Sequence, residues 1–599
     1  MTQPKESATL RTRLPLETVQ GYSTPAAERA GLLRLDINES PTGAPDFVVE
    51  ATHRALGAHQ IATYPAYGEW CQQAAAWFEV AEDCLTCTAG ADEGLKAIFD
   101  TFLLPGRALV TPTPGFSMFQ LWAGLLGNPV RAVPLKRLTP ARLVFEPEAW
   151  FGALNPGGSE PPTGLVAIAT PNNPTGTVVD RAQIIETLNA VKCPVIIDET
   201  YAEFIGLTVS DLIAEFPHLF VTRSFSKVYG LAGLRIGVVL SQPQNIAALR
   251  KVLNPFNVNR AAIAASSACM ARPRELRASI NAMKAVRGWF VRQLQSIGVP
   301  TGEAHANFVL AHFGDNHDQI VEALRGEDIL VKGHHGKHEL LSGCVRIGIG
   351  GQAQMRRCMG AIRKHLQPPP ALRAVLLDMD GTLVDVARSC RKAIIDTTNT
   401  FLEAPNEPVD AEIVDQFKAR GGLNNDWDCV EAILAERGVT VERQAVIDRF
   451  QEIYRGADFD GAIRDEPWLL SAADEATLRA RYTLGVVTGR PRDEALFTLS
   501  LHGGPWPVVV GLEDMAQQKP APDGLQRALS ALELEAGPDV VYVGDSVDDM
   551  RAAKAAGCRA AGVLAPGKLW SSGWPERLYQ AGADWVFQDI TEVVRWLSR

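Results

Sequence analysis

Val195-Ile196-Ile197-Asp198-Glu199-Thr200-Tyr201 decides the first half of the fold, and Ala374-Val375-Leu376-Leu377-Asp378-Met379-Asp380 decides the second. Each is a short apolar run that stops at an acid. A run without polar alternation suits a strand buried on both faces, and the carboxyl end of such a strand is where a parallel sheet presents ligand-binding groups. Outward from the first stretch, Leu165-Val166-Ala167-Ile168-Ala169 and Leu219-Phe220-Val221 are further buried-strand candidates. Outward from the second, Leu484-Gly485-Val486-Val487 and Val540-Val541-Tyr542-Val543 repeat the pattern. Helix-like segments alternate with these runs, so the chain is predicted to be α/β twice over.

At 599 residues the chain is too long for one hydrophobic core. Gln367-Pro368-Pro369-Pro370 is the sharpest boundary, because three prolines hold an extended spacer. The expected organisation is a loose tail over 1–20, a first domain over 21–366, a linker over 367–371 and a second domain over 372–599. Within the first, about 51–255 forms a large domain and both flanks build a small one. Within the second, a helical insert from about Val386 to Leu470 forms a cap. The net charge of -11 argues against nucleic acid or an acidic membrane surface as partner. No apolar run is long enough for a bilayer, and Met1 to Gln20 lack the apolar core of a secretory signal. Ten scattered cysteines, with Cys84 and Cys87 as the lone CxxC, complete no zinc site and fit reduced thiols of a cytoplasmic protein. His334 and His335 are adjacent and are expected in a loop.

In the first half, polar residues gather where apolar strands stop: Asp198, then Tyr201; Asn173 in Pro171-Asn172-Asn173-Pro174-Thr175-Gly176; and Lys227 in Ser224-Phe225-Ser226-Lys227. Pyridoxal phosphate chemistry asks for such a set. It needs a lysine for the Schiff base, a carboxylate to keep the pyridine nitrogen protonated, donors to the phenolic oxygen and a site for the phosphate. Thr88-Ala89-Gly90-Ala91-Asp92-Glu93 precedes a helical pattern whose first amides suit a phosphate.

From about Tyr22 to Leu366 the chain resembles fold-type I aminotransferases, and most closely the histidinol-phosphate aminotransferase family. Leu35 to Pro41, Tyr64-Pro65, Pro112 to Phe119, Asn172 to Gly176, Asp198 to Phe204, Ser224 to Arg235, Asn257-Val258-Asn259 and Val345-Arg346-Ile347 carry the resemblance. It implies that Lys227 is the Schiff-base lysine and proton carrier, that Asp198 pairs with the pyridinium, and that Asn173 and Tyr201 bond the phenolic oxygen. Phe116 would stack on the ring. Ala91, Asp92, Ser224, Ser226 and Arg235 would surround the cofactor phosphate, and Tyr64 would reach that of a neighbouring subunit, making a homodimer. Arg346 would bind a carboxylate, chiefly that of L-glutamate, and Tyr22 would contact a substrate phosphate. Lys332 stands where the family usually has an arginine, which keeps the charge but loses the two-pronged grip.

In the second half, Asp378 and Asp380 follow one strand, Thr488 a second, and Asp545, Asp548 and Asp549 a third, with Lys519 before Pro520. Two acids, a hydroxyl, a lysine and an acidic cluster suit phosphoryl transfer through an aspartyl-phosphate, with Mg²⁺ offsetting the clash between anionic nucleophile and anionic phosphate. Asp378-Met379-Asp380-Gly381-Thr382-Leu383, Val487-Thr488-Gly489-Arg490, Gln518-Lys519-Pro520 and Gly544 to Asp549 resemble the haloacid dehalogenase superfamily. That implies a Rossmann-like domain with Asp378 as nucleophile and Asp380 as general acid/base. Thr488 and Lys519 would hold phosphoryl oxygens. Mg²⁺ would sit on Asp378, the Asp380 carbonyl and Asp545, with Asp549 in support. The second aspartate favours phosphate chemistry, because an ester leaving group needs a proton donor. In the cap, Gly421 to Asp426 is either a substrate-selecting loop or a turn between helices.

The two signatures together imply amination of a phosphorylated ketone followed by ester hydrolysis. The leading expectation is transfer from L-glutamate to imidazole acetol phosphate, with 2-oxoglutarate as co-product, and then hydrolysis of L-histidinol phosphate. The alternatives are another phosphorylated ketone and amine, or a regulatory second domain without catalysis.

Overall fold

The structure is a computed structural model that describes residues 29–366, 370–402, 407–418, 420, 423, 425–502 and 505–598. The expected tail, Tyr22 and the linker residues Gln367, Pro368 and Pro369 lie outside them. The chain divides into two compact units, Met1–Met355 and Arg356–Arg599.

The first unit is built on seven strands: β1 (Leu85–Thr88), β2 (Ala108–Thr113), β3 (Val130–Pro134), β4 (Thr163–Ala169), β5 (Val195–Asp198), β6 (Leu219–Ser224) and β7 (Gly237–Leu240). Their order is β1-β7-β6-β5-β4-β2-β3, and β7 alone runs antiparallel to its neighbours. Alternate residues feed opposite faces. Val166, Ile168, Ile197 and Val221 join one apolar cluster, while Leu165, Ala167, Ile196 and Phe220 join another. Because both faces are covered, the strands carry no polar alternation, and each buried aliphatic side chain contributes about 1.5–3 kcal/mol. The helix α1 (Ala91–Phe102) follows β1. A separate antiparallel sheet holds β8 (Phe308–His312), β9 (Lys332–Gly333) and β10 (Cys344–Gly348) in the order β8-β10-β9.

The division between the two compact units comes shortly before the proline run. It falls inside the helix α2 (Gln352–Leu366). From Arg357 to Ile362, and again at Lys364, this helix is buried within the second unit. Arg357 pairs with Glu576 at 2.7 Å and Lys364 with Glu592 at 2.9 Å. The Tyr579 hydroxyl fills the space beside Gly360, where a Cβ would lie 2.2 Å away. Helical periodicity reports that a face is buried, not which neighbour buries it.

The second unit holds six parallel strands: β11 (Ala374–Leu377), β12 (Thr483–Val487), β13 (Val509–Val510), β14 (Val540–Gly544), β15 (Arg559–Val563) and β16 (Trp585–Phe587). Their order is β13-β12-β11-β14-β15-β16. Between β11 and β12 the chain leaves for a helical insert: α3 (Cys390–Phe401), α4 (Ala411–Lys418), α5 (Asp426–Glu436) and α6 (Arg443–Tyr454). Val384, on the way out, bridges to Trp468, on the way back. Among the described residues, no helix is long and apolar enough to cross a membrane.

Candidate active sites

In the first unit the carboxyl ends of β5 and β6 deliver the central groups. Asp198 closes β5 and is buried; its Oδ1 accepts from the Thr200 amide at 3.1 Å, the Thr200 hydroxyl at 2.7 Å and the Thr222 hydroxyl at 3.0 Å. Burial pushes this carboxyl up, and the Thr200 and Thr222 hydrogen bonds oppose the rise. Tyr201 is also buried, its hydroxyl accepting from Asn38 Nδ2 at 2.9 Å, and burial pushes it up to about 12. Lys227 follows β6 and donates to the Ile37 carbonyl at 3.1 Å. Burial, with Arg346 adding, pulls this amine down to about 8, so a neutral nucleophilic form is accessible near neutral pH.

Asn173 Oδ1 accepts from Arg346, which also donates to the Asp36 carbonyl and lies over the Phe308 ring. Lys332 on β9 stands directly opposite Arg346 on β10, and directly paired residues in an antiparallel sheet share a face. His334, in a loop as expected, is pushed down to about 3 by burial first, and then by Arg346, Lys337 and Lys332. This corner of the small sheet is strongly cationic.

At the start of α1, Gly90 has φ +79, and a Cβ there would lie 2.5 Å from Arg235 Nη2. A Cβ on Gly237 would lie 2.6 Å from the Ala91 amide. Glycine at these two positions thus lets Arg235 and β7 pack closely against the start of α1. Arg235 donates to Asp92 at 2.9 Å, and the Ser224 hydroxyl accepts from the Ser226 amide at 3.2 Å. A helix start with free amides, an arginine and two serines fits a phosphate. A lysine, a buried carboxylate and a phenol fit a pyridoxal ring. Phe116 is half-buried and meets Phe119 edge-on. Tyr64 is 76% exposed, stacked on the exposed Phe256 at 4.3 Å. Asn38 and Thr222 were not singled out from sequence; Asn38 has φ 57, a left-handed conformation that asparagine tolerates.

In the second unit Asp378 follows β11 and is buried, its Oδ1 2.7 Å from Lys519 Nζ. Lys519 also donates to Asp549 at 2.7 Å and to Tyr542 at 2.7 Å. Burial pushes Asp378 well up, Asp549 adds to this, and Lys519 opposes it. Burial pulls the other way on Lys519, but Asp378 and Asp549 more than reverse it and hold the ammonium charged. Asp549 closes a capping box with Ser546 at the start of the helix after β14. Thr488 follows β12, is fully buried, and accepts from the Arg490 amide at 3.2 Å.

One carboxylate oxygen from each of Asp378, Asp545 and Asp549 comes within 4.8 Å of the others. Asp545 is pushed up to about 7 by burial first and by Asp549 next. Three crowded acids facing one lysine fit a divalent cation with oxygen ligands. The Asp380 side chain is not one of this trio; it lines the same pocket as Asp378 and Asp545 and pairs with Arg490. Gly381 has φ +70, and a Cβ there would meet Asp545 Oδ2 at 2.3 Å, so only glycine fits between the two acid-bearing segments. Tyr542, Arg490 and Glu466 were missed as site residues; only Arg490, adjoining Thr488-Gly489, had a sequence signal.

The pocket over Asp378 and Asp380 is roofed by the insert through Val386, Ile394, Val414 and Leu423. In the expected selecting loop, Gly421, Gly422 and Asn424 lie outside the described residues. Leu423 and Asp426 line the pocket, while Asn425 caps α5.

A family model described as aminotransferase class I and II matches residues 30–362, and one described as haloacid dehalogenase-like hydrolase matches residues 372–557. Histidinol-phosphate aminotransferase of Paracoccus denitrificans is 30% identical over 369 residues, 59% of this chain and 94% of the relative. Histidinol-phosphate aminotransferase 2 of Ralstonia nicotianae is 32% identical over 353 residues, 57% of this chain and 90% of the relative. The crystal structure of histidinol-phosphate aminotransferase from Sinorhizobium meliloti in complex with pyridoxal-5′-phosphate matches with a TM-score of 0.54 at 24% identity. It covers 59% of this chain and 97% of that one, a likeness of fold.

Proposed function

From a chain that belongs to the class I and II aminotransferases, within the histidinol-phosphate aminotransferase family, and that carries a haloacid dehalogenase-like hydrolase domain after it, we propose a two-step enzyme whose halves share one metabolite. The chain combines a pyridoxal phosphate-dependent transaminase with a phosphatase. The first site moves an amino group from L-glutamate to imidazole acetol phosphate, and the second hydrolyses the resulting L-histidinol phosphate to L-histidinol and phosphate, in a cytoplasmic homodimer. The observation that carries this reading is that an aminotransferase domain, whose curated relatives are histidinol-phosphate aminotransferases, and a haloacid dehalogenase-like hydrolase domain lie on one chain.

Pyridoxal 5′-phosphate, when bound, supplies the aldehyde that takes up the amino group and the ring that accepts electrons from the substrate Cα. Lys227 would hold it covalently and move the Cα proton. Asp198 would keep the ring nitrogen protonated, held for that task by Thr200 and Thr222. Tyr201 and Asn173 would bond the phenolic oxygen, and Phe116 would cover the ring. Ala91, Asp92, Ser224, Ser226 and Arg235 would surround the phosphate, and the exposure of Tyr64 supports its reaching a second subunit. Arg346 would take the donor carboxylate and Lys332 the substrate phosphate.

Mg²⁺, when bound, supplies positive charge between an anionic nucleophile and an anionic phosphate. Asp378, Asp545 and the Asp380 carbonyl would hold it, with Asp549 behind them. Asp378 would attack phosphorus, Thr488 and Lys519 would hold the phosphoryl oxygens, and Asp380 would protonate the departing alkoxide. Hydrolysis would draw the reversible amination forward.

Lysine in place of the family's arginine at position 332 favours a second reading, in which another phosphorylated ketone and amine pass through the same two steps. Incubation with L-histidinol phosphate, 2-oxoglutarate and Mg²⁺ decides between them. Glutamate and inorganic phosphate both form on the first reading, and neither forms on the second. The intact Asp378–Lys519 pair argues against a purely regulatory second domain.

A further inference from the structure

Arg490 is a buried cation held by several side chains of the second unit. Its Nε donates to Asp380 Oδ1 at 2.6 Å. Its Nη1 donates to Glu466 Oε2 at 2.8 Å and to the Thr498 hydroxyl at 3.1 Å, and its Nη2 donates to Glu466 Oε1 at 3.1 Å. Arg490 and Glu466 are both buried. The two-pronged Glu466 pairing fixes the guanidinium plane, which a lysine at this position would leave free to pivot.

Glu466 has a particular place in the chain. It lies where the helical insert returns to the core, two residues before Trp468, which bridges to Val384 on the outgoing segment. It accepts from the Ser389 hydroxyl at 2.5 Å, also on the outgoing segment, and from the Tyr454 hydroxyl at 3.2 Å, at the end of α6. Both chain crossings and the last insert helix therefore converge on the carboxylate that orients Arg490. Arg490 bonds only Oδ1 of Asp380, and Asp380 is 30% exposed, lining the pocket beside Asp378.

We propose that Arg490 is a positioning residue for ester hydrolysis. Clamped by Glu466 at the crossings of the insert, it pins Oδ1 of Asp380 and so presents Oδ2 to the leaving-group oxygen. This rests on the phosphatase reading of the second unit. In the first half-reaction Asp378 forms a bond to phosphorus, the ester P–O bond breaks, and the proton on Asp380 passes to the departing oxygen, which leaves as a neutral alcohol. In the second, Asp380 takes a proton from water as that water attacks phosphorus. The bond to Asp378 breaks and inorganic phosphate leaves. Arg490 exchanges no proton in either half. Its fixed charge and geometry determine where the Asp380 proton is delivered.

Leaving-group dependence tests this in the full chain with Mg²⁺ present, using p-nitrophenyl phosphate and glycerol 2-phosphate. The first leaves without help from an acid and the second does not. The quantity compared is kcat/KM, which reports the steps through the first P–O cleavage. Arg490→Lys and Glu466→Gln are expected to lower kcat/KM for glycerol 2-phosphate by about tenfold to a hundredfold, while changing the p-nitrophenyl ester by less than about threefold. In an Asp380→Asn background the same substitutions are expected to add nothing. An equal loss on both esters would overturn the proposal, as would an undiminished loss in the Asp380→Asn background. If the unsubstituted protein hydrolyses neither ester, the phosphatase reading fails instead. Should Arg490→Lys fail to fold, Glu466→Gln keeps the guanidinium and carries the same comparison.

Discussion

Lys519 Nζ lies 2.7 Å from Asp378 Oδ1, and both groups are buried at the carboxyl end of the central strands. The lysine offsets the charge of the Asp378 carboxylate. Removing one partner of a buried pair leaves the other uncompensated, which costs about 3–5 kcal/mol. Lys519→Met is therefore expected to lower the stability of the second unit by that order and to abolish phosphate release. Glutamate formation is expected to persist. Differential scanning calorimetry with parallel assays of the two products checks both halves of this expectation.

Lys227→Ala separates the sites in the opposite direction. The visible absorption of bound pyridoxal phosphate and all amino transfer are expected to vanish, while hydrolysis of L-histidinol phosphate continues. Loss of both activities from a folded, Mg²⁺-loaded variant would contradict independent chemistry at the two sites.

Glu494 gives the second unit a pH dependence. Burial, opposed by the Gln451 hydrogen bond and by Arg490 and then reinforced by Asp493, pushes its carboxyl from 4.5 to about 7, with Arg455 opposing last. The folded state then binds a proton more tightly than the unfolded state. Its contribution is complete below about pH 4.5 and is lost as pH rises towards about 7, by up to about 3 kcal/mol. Glu494→Gln is expected to gain stability relative to the unsubstituted protein between pH 5 and pH 8. The urea concentration that halves phosphatase activity, measured at both values, reads this directly. An identical shift in both proteins would contradict it.

The strand-end groups were legible because buried parallel strands are uniformly apolar, so a polar residue at their end stands out. Asp198, Asp378 and Thr488 were found this way, and β4, β5, β6, β11, β12 and β14 lie where the apolar runs predicted them. The groups that hold these residues were less legible, because their partners are distant in sequence. Asn38 bonds Tyr201 across 163 positions, and Glu466 reaches Arg490 across 24. Neither spacing carries a helical or strand period. The same limit explains the boundary inside α2. Arg357 and Lys364 repeat like any amphipathic helix, and nothing local marks Glu576 and Glu592 as their partners.

The shared metabolite is tested most directly from the ketone side. Imidazole acetol phosphate, L-glutamate and Mg²⁺ are mixed with the protein, and 2-oxoglutarate, L-histidinol and inorganic phosphate are followed together. The account predicts that all three form in equal amounts, and that Asp378→Asn or chelation of the metal stops the sequence at L-histidinol phosphate with 2-oxoglutarate still produced. Phosphate release without 2-oxoglutarate, or L-histidinol phosphate accumulating unhydrolysed in the unsubstituted protein, would contradict it.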